Sequence, residues 1–464
     1  MFRPSLVGLA SLLALALAAA CTTEVVKVQA APSDAPPEDT TGTEEDGGTS
    51  VQDASTSTKP TSFTFPTVKS RGGKVIAAPR VVPIVYSGDP LTSQIGSFYT
   101  KLGASAVWKA DAAEYGIGPI TTAATKTLTE APPTNITSTA IEQWLVGKLS
   151  GASPLEAPDE NTLYAIHYPA ATTIQIDGAD EVGQSCQGYG GYHGEVSVSG
   201  KKVGYAVLPR CSGVDELTVA ASHEAFEWAT DPYPQSTPAY AQLDDEHLAW
   251  QLVMLGELGD LCTFLDRSYI RPADIGFQIQ RMWSNAQSRA GKFPCAPQDG
   301  KPYFQAIPLV GDPLTIPDGL LEIKSKGAKV PPGGTATVDV KLYAEGLPAG
   351  TSLFLEALSK DQMSQGQQPS GFSFKVSQQT AKVGDTVQVT VTAPKGGGWD
   401  VLTMIAARSQ EDAFMWPVFV FSGDPFGTGT GLGPATTLRT PKRPDVFGAA
   451  RAKGLRLTRA GLGR

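Results

Sequence analysis

The residues best suited to chemistry form one short run, His223-Glu224-Ala225-Phe226-Glu227. On a helix, His223 and Glu227 are four positions apart and therefore project from the same face, with Glu224 beside them. An imidazole and a carboxylate placed in this way can bind one metal ion from a single helix. The run therefore predicts a metal site with His223 and Glu227 as ligands.

The same spacing occurs in the His-Glu-x-x-His motif of zinc peptidases, where the intervening Glu is the general base for a zinc-bound water. Here Glu227 stands at the second ligand position, and a carboxylate is an acceptable zinc ligand. By this comparison, Glu224 is the predicted catalytic base. For the third ligand we favour Glu257, because peptidases of the comparable type take a Glu from a segment downstream of the motif helix. The further candidates are His193, Asp231 and Asp260.

A second interpretation of the same run is structural. His-Glu-x-x-Glu also arises by chance on amphipathic helices, with His223 hydrogen-bonded in a core and both glutamates on a solvated face. The sequence contains no Gly-x-Ser-x-Gly elbow and no phosphate loop of the Gly-x-x-x-x-Gly-Lys-Ser/Thr type. Two functions therefore stay open: a zinc-dependent, peptidase-like hydrolase, or a non-catalytic surface protein that binds a cell-wall or matrix component.

The motif requires a helix, which we predict from about Gly213 to Ala229. Ser212 is placed to cap it, the acidic residues that follow suit its first turn, and Pro232 prevents its simple continuation. Around it, apolar runs at 75–78, 81–86, 163–166 and 203–208 suit strands, and helical spacing marks 91–102 and 141–149. Alternating strands and helices predict an α/β (or α+β) layered, metallopeptidase-like domain over residues 62–300.

The chain changes character after this domain. Residues 335–342 and 386–391 alternate apolar and polar side chains with period two, and Gly and Pro clusters separate such runs. This pattern predicts a β-sandwich over 315–425. The stretch resembles the immunoglobulin-like modules of bacterial surface proteins. It contains no His and no Cys, so we expect it to act as a spacer or in adhesion.

The N-terminus is typical of export. Arg3 precedes an apolar run that ends at Ala20, which is too short to span a bilayer, and Cys21 follows. We predict a signal peptide over 1–21 and lipidation of Cys21, which anchors the protein to a membrane at the cell envelope. Ordinary secretion is the alternative, since Ala18-Ala19-Ala20 also satisfies the A-x-A cleavage rule. Residues 22–61 are rich in Thr, Ser, Pro and acidic residues and predict a disordered tether.

The charge distribution argues against nucleic acid as a partner. The whole chain has a net charge of −9, although the segment 439–464 carries eight basic residues and one acidic residue. The folded part is therefore strongly acidic and would repel phosphate backbones. We expect the basic tail, 426–464, to be a solvated, disordered end. A peptide or cell-wall ligand suits the predicted functions better.

Several segments carry a wider resemblance in their order along the chain. They are Gly190-Gly191-Tyr192-His193-Gly194, Tyr205-Ala206-Val207, the motif run with Thr230-Asp231-Pro232, Glu257-Leu258-Gly259-Asp260-Leu261-Cys262, and Gln280-Arg281-Met282-Trp283-Ser284-Asn285. Over residues 79–297 the chain resembles secreted bacterial proteins that are distantly similar to the plant EXORDIUM (phosphate-induced) family. The resemblance implies an extracellular role and one compact domain with bridged cysteines.

The cysteines other than Cys21 form an even set, as expected in an oxidising compartment. Four cysteines allow three pairings. We predict Cys186–Cys211, which brackets the His193 segment, and Cys262–Cys295, which brackets the Trp283 segment.

Overall fold

The computed structural model describes residues 62–423, apart from short gaps at 152–154, 156, 178–183, 235, 255, 264, 296–299, 312, 319–320, 364–369 and 410–411. The signal peptide, the tether at 22–61 and the basic tail at 426–464 lie outside the described residues, so those predictions stay predictions. No helix in the described part is long and apolar enough to cross a membrane.

Strands and helices alternate through the first domain. Its strands are β1 Val68–Lys69, β2 Arg80–Tyr86, β3 Thr121–Thr122, β4 Lys126–Leu128, β5 Asn135–Thr137, β6 Thr162–Tyr168, β7 Thr173–Gln175, β8 Tyr192–Val198, β9 Lys201–Pro209, β10 Gln242–Leu243, β11 Tyr269–Ile270 and β12 Ile279–Gln280. Its helices are α1 Thr92–Ala104, α2 Ala106–Ala113, α3 Ser138–Ser150, α4 Val214–Thr230, α5 Leu248–Met254 and α6 Asn285–Arg289.

One mixed sheet forms the centre of this domain. Its strand order is β3-β2-β6-β9-β8, with β4 also paired to β2; the pairings are parallel except for the antiparallel β8–β9 edge. Alternate side chains face opposite sides of a strand. One face packs with α1, α2 and α4 through Val81, Val85, Leu163, Ala165, Ala206 and Leu208. The other packs with α3 through Val82, Ile84, Tyr164, Ile166, Tyr205 and Val207. The predicted layered arrangement of strands and helices is therefore present.

The predicted strand at 75–78 is wrong. Ile76 is fully buried, but its backbone N–H donates to the carbonyl of Ala229 at the end of α4. The carbonyl of Ala77 accepts from the N–H of Gly118. Of the run 75–78 only Ile76 is buried, and its backbone bonds to a helix end, so the apolar run reflects one buried side chain in an irregular segment.

The motif helix α4 begins at Val214 and ends at Thr230, close to the predicted bounds. Its N-cap is Gly213, and no side chain caps it, so the predicted cap by Ser212 is wrong. The helix starts one residue later than that cap requires. Asp215 and Glu216 occupy its first turn, where they interact favourably with the positive end of the helix dipole.

The second domain is a β-sandwich. Its strands are β13 Tyr303–Leu309, β14 Leu314–Asp318, β15 Leu321–Ser325, β16 Gly327–Val330, β17 Thr335–Glu345, β18 Ser352–Leu358, β19 Ser373–Val376, β20 Thr380–Lys382, β21 Thr386–Thr392, β22 Gly398–Ala407 and β23 Ala413–Ser422, with helix α7 at Lys360–Met363. The sheet β13-β17-β21-β19 faces the sheet β16-β23-β22-β18-β20, and β14 pairs with β15. The sandwich thus begins at Tyr303 and not at the predicted residue 315, because β13 pairs with β17 along its whole length.

Aromatic packing joins the two domains. Trp416 of β23 lies with its ring centroid 5.4 Å from that of Trp250 in α5. The segment before β1 adds Phe65, whose ring is 5.7 Å from Trp416 and 5.1 Å from Tyr343 of β17. One hydrophobic core therefore continues from the first domain into the sandwich.

The cysteines are bridged in the two predicted pairs, Cys186–Cys211 and Cys262–Cys295. Cys262 and Cys295 are fully buried. The second bridge therefore ties the segment just before it, which carries Glu257 and Asp260, to the end of the first domain. Disulfides of this kind are typical of exported proteins.

Asn285 provides a test of the fold. Its amide accepts from the N–H of Val68 and donates to the carbonyl of Val68, both at 2.8 Å, and it is buried. In Asn285→Ala both backbone groups lose their partner, so we expect the free energy of unfolding to fall by about 2–3 kcal/mol. Urea denaturation measures this. The exposed Asn161→Ala is the control, with a change within about 0.5 kcal/mol; an equal loss in both variants would contradict the prediction.

Candidate metal centre

Glu227 links helix α4 to a segment further along the chain. Its Oε1 accepts hydrogen bonds from the backbone N–H groups of Gly259 and Asp260, each at 3.0 Å. The side chain is almost fully buried, with 3% exposed. Bonds from two N–H groups hold one carboxylate oxygen in place, and Oε2 is left to face the neighbouring side chains.

His223 has its tautomer set by Gln280 of β12. The Gln280 Nε2 donates to the carbonyl of Gly259 at 2.6 Å, so Oε1 is the amide atom that faces Nδ1 of His223, at 3.2 Å. An amide oxygen only accepts, and Nδ1 therefore carries the proton in this hydrogen bond. In the neutral ring, Nε2 then presents a lone pair. Orientation of a histidine through its other nitrogen is typical of metal ligands.

Three acceptor atoms converge at His223. Its Nε2 lies 3.0 Å from Oε2 of Glu227 and 3.7 Å from Oδ1 of Asp260. Lone pairs that face each other repel, so a proton or a cation must lie among these atoms. Two ligand atoms bound tetrahedrally to one zinc ion at ~2.1 Å are ~3.4 Å apart. The observed separations bracket that distance.

His193 approaches from strand β8 on the other side of Glu227. Its Nδ1 lies 3.2 Å from Oε2 of Glu224, and its Nε2 lies 3.8 Å from Oε1 of Glu257. Gly191 leaves room for this contact, since a Cβ there would lie 3.0 Å from Oε1 of Glu224. Gly191 therefore allows close packing against the motif helix, whereas a Cβ on Gly194 would meet the ring of Tyr205.

The carboxylates of this cluster are buried close together, and this shifts the pKa values of its members. Burial raises the pKa of Glu227, and the neighbouring Glu224 raises it further. Burial likewise raises the pKa of Glu257, and Glu227 adds to this. Burial alone would lower the pKa of His193, but Glu257, Glu224 and Glu227 outweigh it and raise that pKa to about 10. Without a metal, the site therefore retains protons that a divalent cation would displace.

The structure sorts the predicted ligands into two groups that share Glu227. One contains His223, Glu227 and Asp260, and the other contains His193, Glu227 and Glu257; within each group the ligand atoms all lie within 4.8 Å of one another. Glu257, favoured from sequence as the partner of His223, is thus grouped with His193. Asp231 belongs to neither group, and its Oδ1 accepts from the N–H of Ala239 at 2.7 Å.

The structural interpretation of the motif placed both glutamates on a solvated face. Glu224 and Glu227 are instead 4% and 2% exposed, so that interpretation is wrong for both. Solvent reaches the cluster from the side of His223, Asp260 and Glu257, whose side chains are 12%, 16% and 24% exposed. The cluster is therefore a buried set of ligands with one open side.

Two residues of the site were not recognised from sequence. Gln280 and Gly259 were part of the segments that carry the family resemblance, but the sequence predicted no role for either. A Cβ on Gly259 would lie 2.7 Å from Oε1 of Glu227 and 2.8 Å from Nδ1 of His223. The Gly-Asp pair within 256–262 is the signal that could have identified it, because a carboxylate ligand beside a glycine allows close approach to another element.

Comparisons with known proteins do not assign this chain to a family. No family model matches the chain, and no curated protein matches it. Among solved structures, domains 4 and 5 of the S-layer protein SbsC are 17% identical over 25% of this chain, with a TM-score of 0.15. The match covers 54% of that structure. The PapD-like domain 7 of human CEP192 is 14% identical over 27% of this chain and 86% of its own, with a TM-score of 0.16. Scores this low do not define a shared fold.

Gly259 tests the geometry of the centre. In Gly259→Ala the added methyl group would displace Glu227 or His223, so we expect the zinc affinity of the protein to fall by about 10- to 100-fold. Titration calorimetry of metal-free protein with zinc measures the affinity. Gly147→Ala in α3 is the matched control, since its Cβ would meet nothing within 4 Å. Equal zinc affinity in Gly259→Ala and the parent protein would refute the geometry.

Proposed function

We propose that this protein is a zinc-dependent, peptidase-like hydrolase that is exported and held at the cell envelope by a lipid on Cys21. The N-terminal sequence and the two disulfides support export. The hydrolase part rests on the buried ligand cluster at α4. Its substrate class follows from the likeness of the motif to that of zinc peptidases.

One observation carries the proposal. Gln280 directs the Nε2 lone pair of His223 towards Oε2 of Glu227 and Oδ1 of Asp260, at 3.0 and 3.7 Å. One imidazole and two carboxylates are a suitable ligand set for catalytic zinc, which takes three protein ligands and leaves a position for substrate or water. Since His223 and Asp260 lie on the solvent-accessible side of the cluster, a substrate can reach that position.

The chemistry divides between the ion and the chain. Bound zinc would supply Lewis acidity towards a carbonyl group and would lower the pKa of water. His223, Glu227 and Asp260 would bind the zinc ion. The hydrogen bonds from Gly259 and Asp260 to Glu227, together with Gln280, keep these ligands in place before substrate arrives.

Glu224 is the proposed general base. It follows His223 directly, is buried, and has its Oε2 held by Nδ1 of His193 at 3.2 Å. A carboxylate fixed in this way can accept a proton from an attacking water and return it to the leaving amine.

Glu224→Gln separates base from ligand. We expect the variant to bind as much zinc as the parent protein. Its rate of hydrolysis of a quenched-fluorescent peptide library should fall by about 100-fold or more, because an amide cannot accept the proton. Turnover and elemental mass spectrometry of the metal are measured together. Asp215→Asn on the same helix, whose side chain is 44% exposed, is the control that should keep full activity. Unchanged turnover in Glu224→Gln would remove the base role. A parent protein that takes up no zinc would instead favour the non-catalytic binding protein.

Cys21 tests the anchor separately. In a bacterial host, Cys21→Ser should abolish labelling with radioactive palmitate and move the protein out of the detergent phase, because a serine cannot carry the thioether-linked lipid. The neighbouring Thr22→Ser is the control and should label like the parent. A parent protein that takes up no label would indicate free secretion after Ala20.

A further inference from the structure

We propose that the protein binds a second divalent ion between His193, Glu227 and Glu257, so that Glu227 serves two ions at once. The inference deepens the proposed function and rests on it in one respect, namely that His223, Glu227 and Asp260 hold the first ion. Only Glu227 of this second set belongs to the His-Glu-x-x-Glu motif, since His193 comes from strand β8 and Glu257 from the segment after α5.

A buried nitrogen without a partner indicates the site. The side chain of His193 is 4% exposed, and its Nε2 has no hydrogen-bond partner among the residues that the structure describes. Its Nδ1 is engaged by Oε2 of Glu224 at 3.2 Å. Buried polar atoms are normally satisfied, and an unsatisfied one calls for a missing ion or ligand. The carboxylate on Nδ1 is the arrangement that prepares the other nitrogen for a metal.

Glu257 stands opposite this nitrogen. Its Oε1 is 3.8 Å from Nε2 of His193, which is too long for a hydrogen bond but suits two ligands of one ion. Glu257 is also the most exposed of the three ligands, at 24% of its side chain. An ion can therefore enter from solvent without opening the domain.

Glu227 lies between the two histidines. Its Oε1 is occupied by the N–H groups of Gly259 and Asp260, whereas its Oε2 lies 3.0 Å from Nε2 of His223. One carboxylate oxygen of Glu227 also lies within 4.8 Å of the ligand atoms that His193 and Glu257 offer. A fixed carboxylate oxygen with an imidazole on either side is well placed to join two ions. In hydrolases of this kind, two ions would polarise the substrate carbonyl and lower the pKa of the attacking water.

The charge of the cluster supports two ions. Glu224, Glu227, Glu257 and Asp260 surround only two imidazoles, and the first two of these carboxylates are almost completely buried. Buried carboxylates are unfavourable unless they are paired with positive charge. A single divalent ion leaves the set negative, and a second one neutralises it.

Metal stoichiometry tests the inference. Metal-free protein is refilled with zinc, freed of excess by gel filtration and analysed by elemental mass spectrometry. We expect two zinc ions per chain in the parent, one in His193→Gln and in Glu257→Gln, one in Asp260→Asn, and none in Glu227→Gln, which removes the shared ligand. Glu195→Gln, on the same strand as His193 but outside both groups, is the control and should keep two.

Near-UV circular dichroism shows whether each variant is folded. A second measurement needs no variant: the parent protein filled with manganese should give the exchange-coupled electron paramagnetic resonance spectrum of two bridged ions. One zinc ion that persists in His193→Gln and Glu257→Gln but disappears in Asp260→Asn would overturn the second site and leave the proposed function intact. One ion lost in all of these variants would show a single mixed site and would also overturn it. No zinc in the parent would remove both proposals.

Discussion

The candidate site depends on the burial of one carboxylate, that of Glu227. A buried carboxylate is costly unless hydrogen bonds or positive charge compensate it. Here two backbone N–H groups, from Gly259 and Asp260, bind Oε1. These hydrogen bonds offset part of the cost of removing the carboxylate from water. The pairing holds the acidic segment 256–262 against α4, and it places Asp260 beside His223 and Glu257 beside His193.

The surrounding elements keep this arrangement rigid. The Cys262–Cys295 bridge closes a loop immediately after Asp260, and Gln280 joins His223 to the carbonyl of Gly259. Strand β8, the antiparallel edge of the central sheet, brings His193 to the same place. Sites built on helices and strands with supporting hydrogen bonds hold their geometry better than sites on loops alone. The fold by itself therefore sets the positions of the candidate ligands.

The β-sandwich contributes no group to this site, yet it is not an independent appendage in the described structure. Trp416 packs against Trp250 of the first domain, and Phe65, which precedes β1, packs against both Trp416 and Tyr343. This continuous aromatic core orients the two domains relative to each other.

Local patterns in the sequence determined most helices and strands but not which of them contact one another. The periodicity of α4 placed His223, Glu224 and Glu227 together, and alternation predicted most of the strands, because side-chain direction repeats every 3.6 or 2 residues whatever the rest of the chain does. The apolar run at 75–78 predicted a strand wrongly, because Ile76 is buried but has no neighbouring strand to pair with. Which acids lie beside His223 and His193, and the contact of His223 with Gln280 57 residues away, were decided only by tertiary structure. Contacts over such separations depend on the packing of the whole domain, and no local period encodes them.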